Sequence, residues 1–218
     1  MHRPAPSRST LGRAAFAGFA VFVAIVCALH VVQAGRYHPL SEAVSELALG
    51  RAGWLMAVAF CSIGTGTLFL AALLSRLSSR PRVAGWLVGI SGALSYVSAF
   101  VHADGPGRST THGTIHQMVG VTTFILLVSG MFALVRPLRR DPDWLALATP
   151  TLLLAIAAVA AFFLIPISGT AYFGVAQRIF LSLIVGWAIT MSWHAWHLPA
   201  TQNEMERADP LAIPAAQQ

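Results

Sequence analysis

Six apolar runs divide the chain, at residues 14–32, 54–74, 83–101, 118–135, 144–166 and 179–198. Each is long enough for a helix to cross a hydrocarbon core of about 30 Å. The polar residues inside them are mostly Ser, Thr and Gly, which a helix tolerates in lipid. The alternation over about ten residues that a membrane β-strand needs is absent. A segment in lipid must satisfy its own backbone, so the runs predict helices. The expected fold is all-α: a polytopic membrane protein with a six-transmembrane-helix bundle over residues 14–198. A basic tail, 1–13, precedes it, and a polar tail, 199–218, with Pro210 and Pro214, reads as disordered.

Arginine placement predicts orientation. Arg3, Arg8 and Arg13 precede the first run; Arg76, Arg80 and Arg82 lie in the second connection, and Arg136, Arg139 and Arg140 in the fourth. With Arg207 that makes ten on one side, against Arg36, Arg51, Arg108 and Arg178 on the other. The positive-inside rule then makes both termini cytoplasmic, in a bacterial cell (cytoplasmic) membrane. The three outer connections, near 33–53, 102–117 and 167–178, are expected to be longer than the inner ones.

Composition agrees with this picture. Of 218 residues 56% are hydrophobic and only 10% charged, against about 25% charged in soluble domains. That excludes a water-soluble fold, a disordered chain and a nucleic-acid-binding module; the expected partners are membrane lipids, with any protein partner in the membrane unknown. The two cysteines, Cys27 and Cys61, fall inside apolar runs, make no disulfide framework, and read as small core residues. Gly85, Gly89 and Ala93 form a small-residue row for close helix approach, within the bundle or at a dimer face. The first run is longer than a signal-peptide core, so it is expected to stay attached although Val32-Gln33-Ala34 resembles a cleavage site.

Candidate chemistry gathers on the outer connections. The first contains Leu40, Val44 and Leu47 at helical spacing, with Glu42, Ser45 and Glu46 toward the other side. This predicts a short helix on the outer face, starting near Pro39 and ending near Gly50. It reads either as an interfacial helix with a solvated face or as one that turns Glu46 inward. The second carries His102, Asp104, a Gly-Pro-Gly turn, and His112 and His116 four residues apart. That spacing puts both imidazoles on one helix face, where with Asp104 they are the candidate ligands for a divalent metal such as zinc. The third brings Gln177 and Arg178 just before the last run, with Glu46 and Asp104 the available acids for Arg178. Trp193, His194, Trp196 and His197 read as an interfacial belt at the inner end. His30 with His116 is a candidate haem pair.

These residues match a known pattern. Ser45-Glu46-Leu47 before the second run, Trp54 opening it, Asp104 after the third, His112-Gly113 and Ile115-His116 opening the fourth, and Gln177-Arg178 with Trp187 at the sixth resemble domain-of-unknown-function family 998. That is a prokaryotic group of six-helix membrane proteins, and the resemblance covers about residues 14–198. The family often has a Phe-Pro-Thr-Asp-Pro-like run around the aspartate, where this chain has Phe100-Val101-His102-Ala103-Asp104-Gly105-Pro106. The resemblance implies a fold and shared positions but no reaction.

Whether the chain is an enzyme stays open. One reading is a lipid-binding, accessory or sensing protein, in which Glu46–Arg178 and Asp104–His112 pairs lock the loops. The alternative is a metal-dependent hydrolase or transferase acting on a lipid or lipid-linked substrate at the outer leaflet. There His112, His116 and Asp104 would hold the metal, Glu46 would be the general base, Ser45 a hydrogen-bond donor and Arg178 a phosphate or oxyanion clamp. This is loosely similar to the intramembrane ceramidase-like hydrolases, although the histidine pattern of their last helix is not reproduced on the outer side. The uncharged middles of the runs argue against an ion-coupled carrier.

Overall fold

The computed structural model describes residues 6–105 and 107–199. Six long helices carry the chain: α1 (Arg8–Val32), α2 (Trp54–Leu74), α3 (Arg82–Phe100), α4 (Thr111–Arg139), α5 (Leu145–Ile167) and α6 (Gly169–His197). A 3-10 helix, Val44–Leu49, lies between α1 and α2, and the described residues contain no strand. All six long helices have the length and hydropathy to cross a membrane. The polar tail after Pro199, Arg3 and Arg207 fall outside the described residues.

Each helix packs on its neighbours in sequence, and α6 returns to α1, so the bundle is a closed ring. Glycine sets the tightest crossings. A Cβ on Gly18 of α1 would lie 2.7 Å from the Gly66 Cα of α2, and one on Gly64 would lie 2.9 Å from the Gly92 carbonyl oxygen of α3. Only backbone without side chains fits there. The Gly85/Gly89 row faces Ala71 of α2 inside the bundle, at ordinary contact distances of 3.9 and 3.6 Å.

Side-chain hydrogen bonds seal the end at which α1 begins and α6 finishes. Ser9 donates to the Trp196 carbonyl (2.9 Å), joining the start of α1 to the end of α6. Arg8 pairs with Asp143 at 3.0 Å. The buried Asp141 accepts from the Ser78 and Asp143 amides, at 2.9 and 3.2 Å, which ties the α2–α3 connection to the α4–α5 connection. Trp144 is fully buried with its ring edge to face with His194, 5.0 Å between centroids. His194 therefore belongs to this seal, while Trp193, Trp196 and His197 stack with one another at the helix end.

Three sequence expectations need correction. The connection expected at 167–178 is helix, because α5 and α6 meet in a tight turn at Ser168-Gly169, where Gly169 takes a φ of +63° that favours glycine. Gln177 and Arg178 therefore sit in the third turn of α6 rather than before it. Cys27 is exposed on the outside of the ring, where a polarisable thiol meets lipid as readily as it would meet a core; Cys61 is half-buried. The short helix of the first connection is a 3-10 helix starting at Val44, with Leu40 left exposed before it and Val44 and Leu47 buried beneath it.

Candidate functional site: an amphipathic cavity under a latched loop

At the end opposite the start of α1, the first connection folds down onto the ring. Tyr37 is buried and donates its hydroxyl hydrogen to the Ala43 carbonyl (2.8 Å). Gln33, also buried, donates its amide to the Leu47 (2.8 Å) and Arg51 (3.0 Å) carbonyls, holding the 3-10 helix from the end of α1. From the other side, α6 supplies three attachments. The Val175 amide donates to the Leu40 carbonyl (3.1 Å), the Val44 amide donates to Gln177 Oε1 (2.8 Å), and Gly174 leaves room for the connection's backbone, since a Cβ there would lie 2.5 Å from the Pro39 and Glu42 oxygens.

Arg178 is the centre of this latch. Its Nη1 donates to the Pro39 (2.7 Å), Glu42 (3.0 Å) and Gly174 (2.8 Å) carbonyls, and its Nη2 to His30 Nε2 (3.1 Å) and to the Tyr37 hydroxyl. His30 Nδ1 faces the Val26 carbonyl at 2.7 Å, which can only accept, so the proton is assigned to Nδ1 and Nε2 receives the arginine. Both nitrogens of His30 are engaged, and neither is left for the iron of the haem pair considered above. Burial raises the Tyr37 hydroxyl above its ordinary pKa despite the arginine beside it.

Glu46 takes no part in the Arg178 hydrogen bonds. One carboxylate oxygen accepts the Ala43 amide at 3.0 Å, half of a capping box. Burial raises its pKa above the ordinary carboxylate value; the Ala43 bond opposes the shift and Glu42 adds to it. Asp104 holds Thr110, the N-cap of α4, instead of meeting a histidine. It accepts from the Thr110 amide and hydroxyl, both at 2.7 Å, and these bonds lower its pKa. Thr110 in turn accepts the Gly113 amide (3.1 Å), and a Cβ on Gly113 would overlap the Asp104 carboxylate. The Gly of His112-Gly113 is thus the space in which Asp104 sits.

Beneath the latch a cavity of about 660 Å³ occupies the ring, lined by all six helices. Its upper wall is polar: Ser45, Glu46, Asp104, His116, Gln117 and Gln177. Its depth is apolar, with Phe22, Phe60, Ile63, Phe124, Phe162 and Leu181. Hydroxyls mark one side between the two. Ser91, Ser95 and Ser98 recur along one face of α3, and Thr123 Oγ1 of α4 is enclosed without a hydrogen-bond partner among the described residues. The cavity also opens sideways. No residue of α4 from Thr114 to Leu127, and none of α5 after Ala161, is buried. The lining residues Gln117, Val121, Phe163 and Pro166 on those two helices are exposed, which places the opening on the bundle's lipid-facing side.

Of the six residues singled out in the sequence, Ser45, Glu46, Asp104 and His116 line this cavity, whereas His112 and Arg178 do not. The expected Glu46–Arg178 and Asp104–His112 ion pairs do not form; Arg178 takes carbonyls and Asp104 takes Thr110. His116 donates through Nδ1 to the Val101 carbonyl (2.8 Å) and packs edge to face on Phe60, while His112 stays exposed. Among the described residues no three His, Cys, Asp or Glu side chains group closely enough to hold a metal ion. Sequence reasoning passed over Tyr37 and Gln33, whose value lies in reaching across a connection. It also passed over the Ser91/Ser95/Ser98 row, whose helical spacing was a usable signal.

Fold and site together define a polytopic six-helix membrane protein with an internal, laterally open cavity. The chain belongs to DUF998, a family described as protein of unknown function, whose model matches residues 16–194. No curated protein matches the chain. No solved structure matches it either.

Proposed function

We propose that this protein binds one amphiphilic lipid-like molecule in the cavity between its helices, taking it up from the surrounding leaflet. The observation that carries the reading is the cavity's polarity gradient combined with its side opening. A chain fits against the phenylalanines, a polar head fits under the 3-10 helix, and the molecule passes between α4 and α5 without leaving the membrane. The volume falls within the roughly 300–1,000 Å³ of small-molecule sites. With the termini cytoplasmic, as the arginine distribution favours, the head lies at the extracytoplasmic surface.

Gly120 offers the test. It lies midway along the α4 face that carries Gly113, His116, Thr123, Phe124 and Leu127, and a side chain there would meet nothing within 4 Å. Gly120→Leu therefore fills the cavity without a clash. The wild-type protein, purified in a non-ionic detergent, is expected to show a bound lipid by native mass spectrometry. The variant is expected to fold equally well and show none. Equal lipid retention by both would refute the reading.

A further inference from the structure

We propose that the molecule held in the cavity has a head rich in hydrogen-bond donors, hydroxyls or an ammonium, and carries no phosphate. This deepens the lipid-binding reading and rests on it. The polar atoms that the fold leaves facing the cavity select such a head.

Acceptors dominate. Glu46 uses one oxygen on the Ala43 amide and leaves the other to the cavity. His116 bonds a carbonyl through Nδ1, so in its neutral form Nε2 is a bare lone pair. Asp104 adds a second carboxylate at the same end, with lone pairs beyond the two that Thr110 uses. On the donor side, Gln177 has its oxygen occupied by the Val44 amide and presents its NH2 group, Gln117 at the side opening offers both an NH2 group and a carbonyl, and the Thr123 hydroxyl can donate or accept. The Ser45 hydroxyl makes no hydrogen bond among the described residues and serves either way.

The usual means of holding a phosphate are already committed elsewhere. Arg178, the cation that the sequence offers for a phosphate, turns away from the cavity and spends its guanidinium on three carbonyls, His30 and Tyr37. The N-terminus of α4, which borders the cavity, would suit an anion through its free amides and dipole. The protein's own Asp104 already sits there, over Gly113. Arg108 is the only Arg or Lys among the described lining residues, and it is exposed. A phosphate would thus meet two carboxylates in a partly desolvated site, whereas a glycerol or amino-alcohol head would meet acceptors arranged for it.

Three single-chain probes with the same oleoyl or oleyl tail separate the possibilities: monooleoylglycerol, oleylamine and oleoyl lysophosphatidate. Their affinities for the full chain in non-ionic detergent are read by native mass spectrometry. The neutral and cationic probes are expected to bind at least about tenfold more tightly than the phosphate, the worth of one charge-assisted hydrogen bond. Glu46→Gln keeps an oxygen for the Ala43 amide; it is expected to weaken oleylamine about tenfold and to leave monooleoylglycerol within about threefold. Lysophosphatidate binding as tightly as monooleoylglycerol, or an amine affinity indifferent to Glu46→Gln, would overturn the assignment of the head. If no probe binds, or if Gly120→Leu binds all three as the wild type does, the lipid-binding reading itself fails.

Discussion

Removing the Arg178 side chain distinguishes a structural latch from a ligand clamp. In Arg178→Ala the Pro39 and Glu42 carbonyls lose their charged donor, at 2.7 and 3.0 Å in the wild type, and Tyr37 and His30 lose their shared partner. A hydrogen bond to a charged group contributes about 1.5–3 kcal/mol. The Pro39 bond is exposed, so water replaces much of it, and the Gly174 bond lies within α6 itself. The two loop carbonyls and the Tyr37–His30 contact together then account for about 2–4 kcal/mol. At the usual entropy of unfolding for a chain of this length, that is a fall in Tm of roughly 5–15 °C. Arg178→Lys keeps the charge but not the planar fork, and is expected to recover about half of the loss. The assay is thermal unfolding in detergent together with amide hydrogen exchange. The latch predicts faster exchange at Tyr37 to Leu47 while the seal around Asp141 stays protected. A variant with unchanged Tm and unchanged exchange, but lost lipid binding, would refute the latch and restore Arg178 as a clamp.

Other perturbations follow from the same geometry. Because burial raises the folded-state pKa of Glu46, the folded protein holds its proton more tightly than the unfolded chain does. Stability contributed by this group is therefore full below the ordinary carboxylate pKa and falls as pH rises through the raised value. Glu46→Gln is expected to flatten that part of the Tm–pH profile, and an unchanged slope would count against the half-buried carboxylate. Asp104 has the opposite sign: its pKa is lowered, so its contribution persists above the ordinary value and is lost as pH falls through the folded one. Asp104→Ala is expected to remove the acid limb of the profile and to fray the first turn of α4 in hydrogen exchange. Gly18→Leu drives a side chain into the Gly66 backbone; overpacking of about 1–3 kcal/mol or more is expected to show as a lowered Tm, and a wild-type melt would disprove the close α1–α2 crossing. Ala in place of Gly113 is expected to displace Asp104 from α4 and lower Tm as Asp104→Ala does, the two substitutions together costing little more than either alone.

The sequence by itself determined the six helices and the side of the bundle on which the chemistry gathers. Both follow from local quantities: a helix in lipid announces itself by the length of its apolar run, and polar residues such as Glu46, Asp104 and His116 are confined to the connections and helix ends because depth is costly. The pairing of those residues was decided only by the tertiary structure. Arg178 looked like a cation in need of a carboxylate, yet carbonyls satisfied it, because α6 begins ten residues earlier than its apolar run and carries Arg178 beneath the first connection. Asp104 looked like a metal ligand, yet holds the Thr110 cap of α4, because Gly113 leaves a space over the helix start whose use the His112-Gly113 motif alone does not reveal. The cavity was invisible for a related reason. Its wall combines Phe22, Glu46, Ser95, Gly120, Phe162 and Leu181, one from nearly every segment, and no local pattern along the chain records that six helices sharing one core leave a space between them at this end.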